Sequence, residues 1–189
     1  MQKMRLVFGL AVVVAWCGLA FAQMGKTAEH STVGQVLDHS VSGVESEFVP
    51  AAEAMPEDKY SYAPTGGEFK GVRTFAQQVK HVAAVNYILG ASVLVEKPPV
   101  ELGGENGPDS IASKADIVKF LKGSFAYLHK AASSVNEKNM LEPIKHPFAD
   151  GKTTTRLEMS TLAVAHCFDH YGQMVEYLRA NSIVPPASR

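Results

Sequence analysis

From Thr32 onward the apolar residues of this chain return at helical intervals. Val33, Leu37, Val41, Val44 and Phe48 are spaced by four or three positions, so they share one side of a cylinder turning ~100° per residue. The pattern predicts a first helix that Pro50 kinks or brings to its close. MPEDKYSYAPTGGEFKG (55–71) gathers proline, glycine and charge, and reads as a loop. A second helix is predicted from about Arg73 to Val93, with Phe75, Val79, Val82 and Asn86 on one side and Val85, Ile88 and Leu89, with His81 beside them, on another.

EKPPVELGGENGPD (96–109) forms a second loop, after which Ser113 can cap a third helix carrying Ile117, Phe120, Leu121, Phe125 and Leu128. NMLEPIKHPFADGK (139–152) breaks the rhythm again. A fourth helix is predicted from about Thr154 to Ala180. One stripe on it holds Val164, Phe168, Tyr171, Val175 and Leu178; a second holds the histidines; and a narrow polar strip (Thr161, Asp169, Glu176, Arg179) predicts burial over most of its circumference. No segment alternates convincingly as a strand. The fold class expected is all-α, a four-helix bundle over residues 32–181 with a tail at 182–189.

The first 22 residues belong to another pattern. A basic start, MQKMR, precedes an apolar run and the small-x-small signal Ala20-Phe21-Ala22. This is the layout of a secretory signal peptide, so cleavage near Ala22 and export to the periplasm or beyond are expected, with 23–31 as a linker. The run is short for a membrane span, which needs ~20 residues, so no span is expected in the mature chain. Cleavage would leave 16 basic residues against 19 acidic ones and a single cysteine, Cys167. No internal disulfide is then available, and stability must come from packing. With no basic stripe, nucleic acid is not expected as a partner. A spare apolar face on such a bundle would allow a homodimer.

Chemistry concentrates in the last helix. His166 and His170 lie one turn apart and project ~40° from one another, so they can share a metal ion or rest as satisfied core residues. His81, on a different helix and one turn from apolar residues, reads on spacing alone as a satisfied core histidine. Cys167 projects ~100° away from His166 and reads as a buried, inert thiol. Asp169 is expected on the solvated strip, with a role as acceptor for a neighbouring imidazole as the alternative. Gln173 can bond a ligand or a neighbouring helix. His39, His129 and His146 read as surface residues. There is no glycine-rich phosphate loop, GxSxG, CxxC or CxxCH, so nucleotide, serine-hydrolase, thioredoxin-like and c-type haem chemistry lack support.

HCFDHYGQMVEYLRANSIVPPAS (166–188) resembles the last helix and tail of the DinB-like (damage-inducible) superfamily. AMPEDKYSYAPTGGEFKGVRTFAQQVKHVAAVNY (54–87) resembles that family's passage from helix one into helix two. The resemblance implies a four-helix bundle holding a divalent metal through three histidines, here His81, His166 and His170. Zinc or nickel would be the first choice, iron or manganese the next. Many relatives carry arginine between the final histidine and the glycine; here Tyr171 stands there, which puts any role of that arginine in doubt. Three histidines leave open positions on the metal. The activity expected is therefore that of an exported metal-dependent hydrolase, acting through metal-bound water on a small molecule. The alternatives are a non-enzymatic metal or ligand binder, or a thiol-dependent transferase as in some relatives. A general base is not evident from the sequence.

Overall fold

A computed structural model describes residues 31–189. The leader, its cleavage signal, Cys17, His30 and all but the last residue of the linker lie outside the described residues. Within Thr32–Arg189, a single compact unit, four long helices follow one another: α1 (Val33–Ala54), α2 (Phe75–Leu94), α3 (Lys114–Ser134) and α4 (Arg156–Ala180). A two-stranded antiparallel hairpin, β1 (Pro143–Lys145) and β2 (Thr153–Thr155), stands between α3 and α4. The four helices supply most of the core, and the fold is an all-α bundle.

Each helix starts where a side chain can take over an unpaired backbone N–H. Thr32 and Thr74 form reciprocal caps with Gln35 and Gln77, while Ser113 and Thr155 accept from the backbone of Asp116 and Glu158. Substituting such a cap costs about 1 kcal/mol. The loop before α2 contributes too, since the Tyr62 and Tyr60 carbonyls accept from Phe75 and Ala76 N–H at 2.8 Å each.

α1 does not end at Pro50 but runs on to Ala54. Proline removes only one helical hydrogen bond there, and the final turn is held by other means. Ala51, Ala52 and Met55 are fully buried. The terminal carbonyls find donors: Tyr60 Oη gives its proton to Ala52 O at 2.6 Å, and Lys114 Nζ donates to Glu53 O and Met55 O at 2.7 Å.

α2 packs against α3 and α4, and α1 packs against the same two helices. Consecutive α1 and α2 therefore face one another diagonally, as do α3 and α4. Phe48, Phe75, Phe125, Leu89, Leu121 and Leu178 fill the space between them, each contributing about 1.5–3 kcal/mol by burial. Phe48 and Phe125 meet at 6.2 Å between ring centroids.

Two expectations are corrected. The hairpin was not foreseen, because three residues per strand are too few to display alternation; only Ile144 and Thr154 of it are buried. α4 is buried on one face, through Met159, Ala163, Cys167, His170, Met174 and Leu178. Phe168 and Leu162 stay exposed, at 43% and 39%. A bundle helix has only two close neighbours, so an apolar residue on its outer side finds nothing to pack on.

Candidate metal centre

The facing of α2 and α4 brings His81, His166 and His170 together. One ring nitrogen from each lies within 4.8 Å of the others. The ring centroids are 4.5–5.0 Å apart in all three pairs, and the rings meet at steep angles. His81 and His170 are buried and His166 is half-buried.

The loop before α3 orients the first of them. His81 Nδ1 lies 2.7 Å from the Glu105 carbonyl; a carbonyl only accepts, so Nδ1 carries the proton and Nε2 keeps its lone pair. That nitrogen is 3.1 Å from His166 Nε2. The Nδ1 atoms of His166 and His170 are buried without a hydrogen-bond partner, an arrangement that costs free energy in a purely structural core.

Burial, followed by mutual repulsion, keeps the imidazoles uncharged. For His166 burial comes first, then the charges of His170, His81 and Arg73, which push its pKa down to about 3. Burial and then His81 push that of His170 down to about 4, with Arg73 adding to the effect and Asp169 opposing it. His81 is lowered by burial, against the hydrogen bond to Glu105. Neutral imidazoles are the form that donates to a cation. Buried nitrogens without partners, three convergent donors and steady neutrality all fit a borderline divalent ion.

The side chains around the cluster answer several of the remaining expectations. Cys167 is fully buried and donates to Asn86 Oδ1 at 3.2 Å, and burial pushes its thiol up to about 12. Asp169 does not hold an imidazole. It accepts from Gln173 Nε2 at 3.1 Å, and Gln173 Oε1 in turn accepts from Gln78 Nε2 at 2.8 Å, so Gln173 bonds the neighbouring helix. His39 is exposed as expected. His129 is not a free surface residue: Asp38 and Glu45 of α1 hold its two nitrogens at 2.6 and 3.0 Å. His146 is half-buried and accepts from the Phe148 backbone N–H at 3.1 Å.

One cleft adjoins the cluster, and a second is lined in part by residues of the same two helices, α2 and α4. The first, of about 380 Å³, has His81 and His166 in its wall beside Val85, Leu89, Phe148 and Leu162. The other, of about 600 Å³, is lined by polar groups including Arg73, Gln78, Asn106 and Gln173. Sequence reasoning missed Arg73 and Glu105, since nothing in a loop's composition announces which carbonyl or cation will fold against a site. Gln78 was within reach, standing three positions before His81 on the same face.

Fold and cluster together define an all-helical bundle with a three-histidine group that could hold a metal ion. The sequence profile of the DinB superfamily matches residues 40–174, and the chain belongs to that superfamily. Among solved structures, it is similar to a DinB-like protein from Bacillus cereus, at 13% identity and a TM-score of 0.65 over 82% of this chain and 96% of that one. A DinB-like protein from Bacillus subtilis is similar at 19% identity and a TM-score of 0.57, over 76% and 92% respectively. At these identities the likeness concerns the fold alone. No curated protein matches the chain.

Proposed function

We propose that the chain is an exported, metal-dependent hydrolase in which His81, His166 and His170 hold one divalent cation, zinc or nickel by preference. The observation that carries this reading is the convergence of three neutral imidazoles within 4.8 Å beside an open cleft. When bound, the cation would supply Lewis acidity and lower the pKa of a water molecule. The protein's own contribution is to fix the donors and shape the approach. The Glu105 carbonyl sets the tautomer of His81, and Val85, Leu89 and Leu162 give that side of the cluster an apolar wall.

An accessible cleft of ligand size supports turnover over mere metal storage, for which a closed site would suffice. The thiol-transferase alternative has less support for an exported chain, because low-molecular-weight thiols belong to reducing compartments. Export itself rests on the leader sequence alone. N-terminal sequencing of protein recovered from the extracytoplasmic fraction should begin at Gln23; a full-length cytoplasmic product would end that part of the proposal.

The central experiment treats untagged protein with EDTA, restores single metals, and screens ester, amide and thiol-transfer substrates. Hydrolysis that disappears with the metal and returns with zinc or nickel supports the reading. Inertness in every metal state, at full occupancy, would leave a binding protein in its place.

A further inference from the structure

The seam between α2 and α4 changes polarity along its length, with a polar cleft at one end and an apolar one at the other. At one end Gln78 meets Gln173; in the middle His81 meets His166; at the other end Val85 and Leu89 share an apolar cleft with Leu162. The polar end contains Arg73, whose guanidinium is only partly engaged. Its Nε and Nη2 both donate to Asn106 Oδ1, at 3.3 and 3.2 Å. A guanidinium offers five N–H groups, and Asn106 takes those along one edge. The edge formed by Nη1 and Nη2 has no protein acceptor among the described residues, and Asp109, which lines the same cleft, forms no ion pair with it. Two parallel N–H groups match the two oxygens of a carboxylate.

Arg73 is held in place by its backbone, since Tyr177 Oη donates to its carbonyl at 3.0 Å. Its charge acts on all three imidazoles. A guanidinium beside a group that could hold a divalent cation builds positive potential, which an anionic ligand offsets. From Gln78, which lines the polar cleft, to Val85, which lines the apolar one, α2 rises about 10 Å at ~1.5 Å per residue. That is close to the length of an amino acid bearing a medium acyl chain.

We propose that the two clefts together take N-acyl amino acids, with the carboxylate on Arg73, the acyl chain in the apolar cleft and the amide opposite the histidines. The inference rests on the hydrolase reading for its reaction: water adds across the amide C–N bond, the acyl carbon taking the hydroxyl and the nitrogen the proton, to release a carboxylic acid and a free amino acid. The binding part needs no metal.

Calorimetry with N-hexanoylglycine and its neutral amide, N-hexanoylglycinamide, tests it on zinc-loaded and EDTA-treated protein. The acid should bind about tenfold more tightly than the amide in both states, as a charge-assisted pair predicts. Arg73→Gln should abolish that preference while leaving the amide's affinity unchanged, which also reports an intact apolar cleft. Arg73→Lys should retain part of it, and Leu162→Gln should weaken both ligands. Equal binding of acid and amide by the native chain, or an undiminished preference in Arg73→Gln, would overturn the proposal. Tighter binding of hexyl phosphate than of the acylglycine would overturn the carboxylate assignment. Zinc uptake without carboxylate preference defeats this inference alone; carboxylate preference without zinc uptake defeats the metal reading alone.

Discussion

His81 Nε2 and His166 Nε2 stand 3.1 Å apart across α2 and α4, although 85 positions separate the two residues. With the His81 proton committed to the Glu105 carbonyl, the two nitrogens coexist only if His166 donates or a cation lies between the lone pairs. Zinc or nickel at a hundred times its dissociation constant should stabilise the fold by about 2.7 kcal/mol, a rise of about 5–10 °C in Tm for a chain of this size. Differential scanning fluorimetry should show that rise in the native protein and its loss in His170→Ala. Mass spectrometry of dialysed protein should show about one metal per chain, with much less in any of the three alanine variants. Undiminished occupancy in all three would reject the ligand set.

His129 binds α3 to α1, and its contribution should depend on pH. Burial works against its protonated form, but hydrogen bonds and charge from Asp38 and Glu45 outweigh it, so its pKa stands above the ordinary histidine value. A histidine raised on folding stabilises fully below its unfolded pKa of about 6.5, and that stability is lost as pH rises through the higher folded value. Urea titrations should find His129→Gln less stable than the native chain by about 1 kcal/mol near pH 6. The gap should shrink at higher pH. A difference that grows with pH would contradict this reading.

Gly34 lies where α1 begins and α3 ends. A Cβ added there would sit 2.7 Å from the Val135 carbonyl, a backbone atom that cannot turn aside. Alanine ordinarily improves a helix by about 1 kcal/mol over glycine, yet overpacking of this kind costs about 1–3 kcal/mol. Gly34→Ala should therefore lower the denaturation midpoint, and an unchanged or raised midpoint would show that the crossing can relax.

Val95 closes α2 in the left-handed region, at φ 56° and ψ 43°. A β-branched residue is strained there by about 1–2 kcal/mol, and its side chain, 64% exposed, recovers little by packing. Val95→Gly should raise stability by about 1 kcal/mol in thermal unfolding. A loss would mean that the valine side chain contributes more than its exposure implies.

The helices were legible because their signals are local. Ser113 announces a helix start through the chemistry of its own hydroxyl, and the Val33–Phe48 stripe marks its buried side through spacing alone. Pro50 left a kink or an end open, and α1 runs on past it because a breaker's effect depends on what holds the turn after it, which Tyr60 and Lys114 do from outside the helix. Phe168 misled because hydrophobicity shows which residues can be buried, and only the placement of neighbours shows which are.

By itself the sequence determined that four amphipathic helices form and that His166 and His170 share a face, since both follow from the 3.6-residue turn of a single segment. It also carried, through resemblance, the pairing of those residues with His81. Only the tertiary structure decided that Glu105 would orient His81, that Arg73 would stand within range of all three imidazoles, and that His129 would tie α3 to α1. Those relationships join residues distant in the chain. They depend on how the helices pack and where the loops return, which no periodicity within one segment encodes.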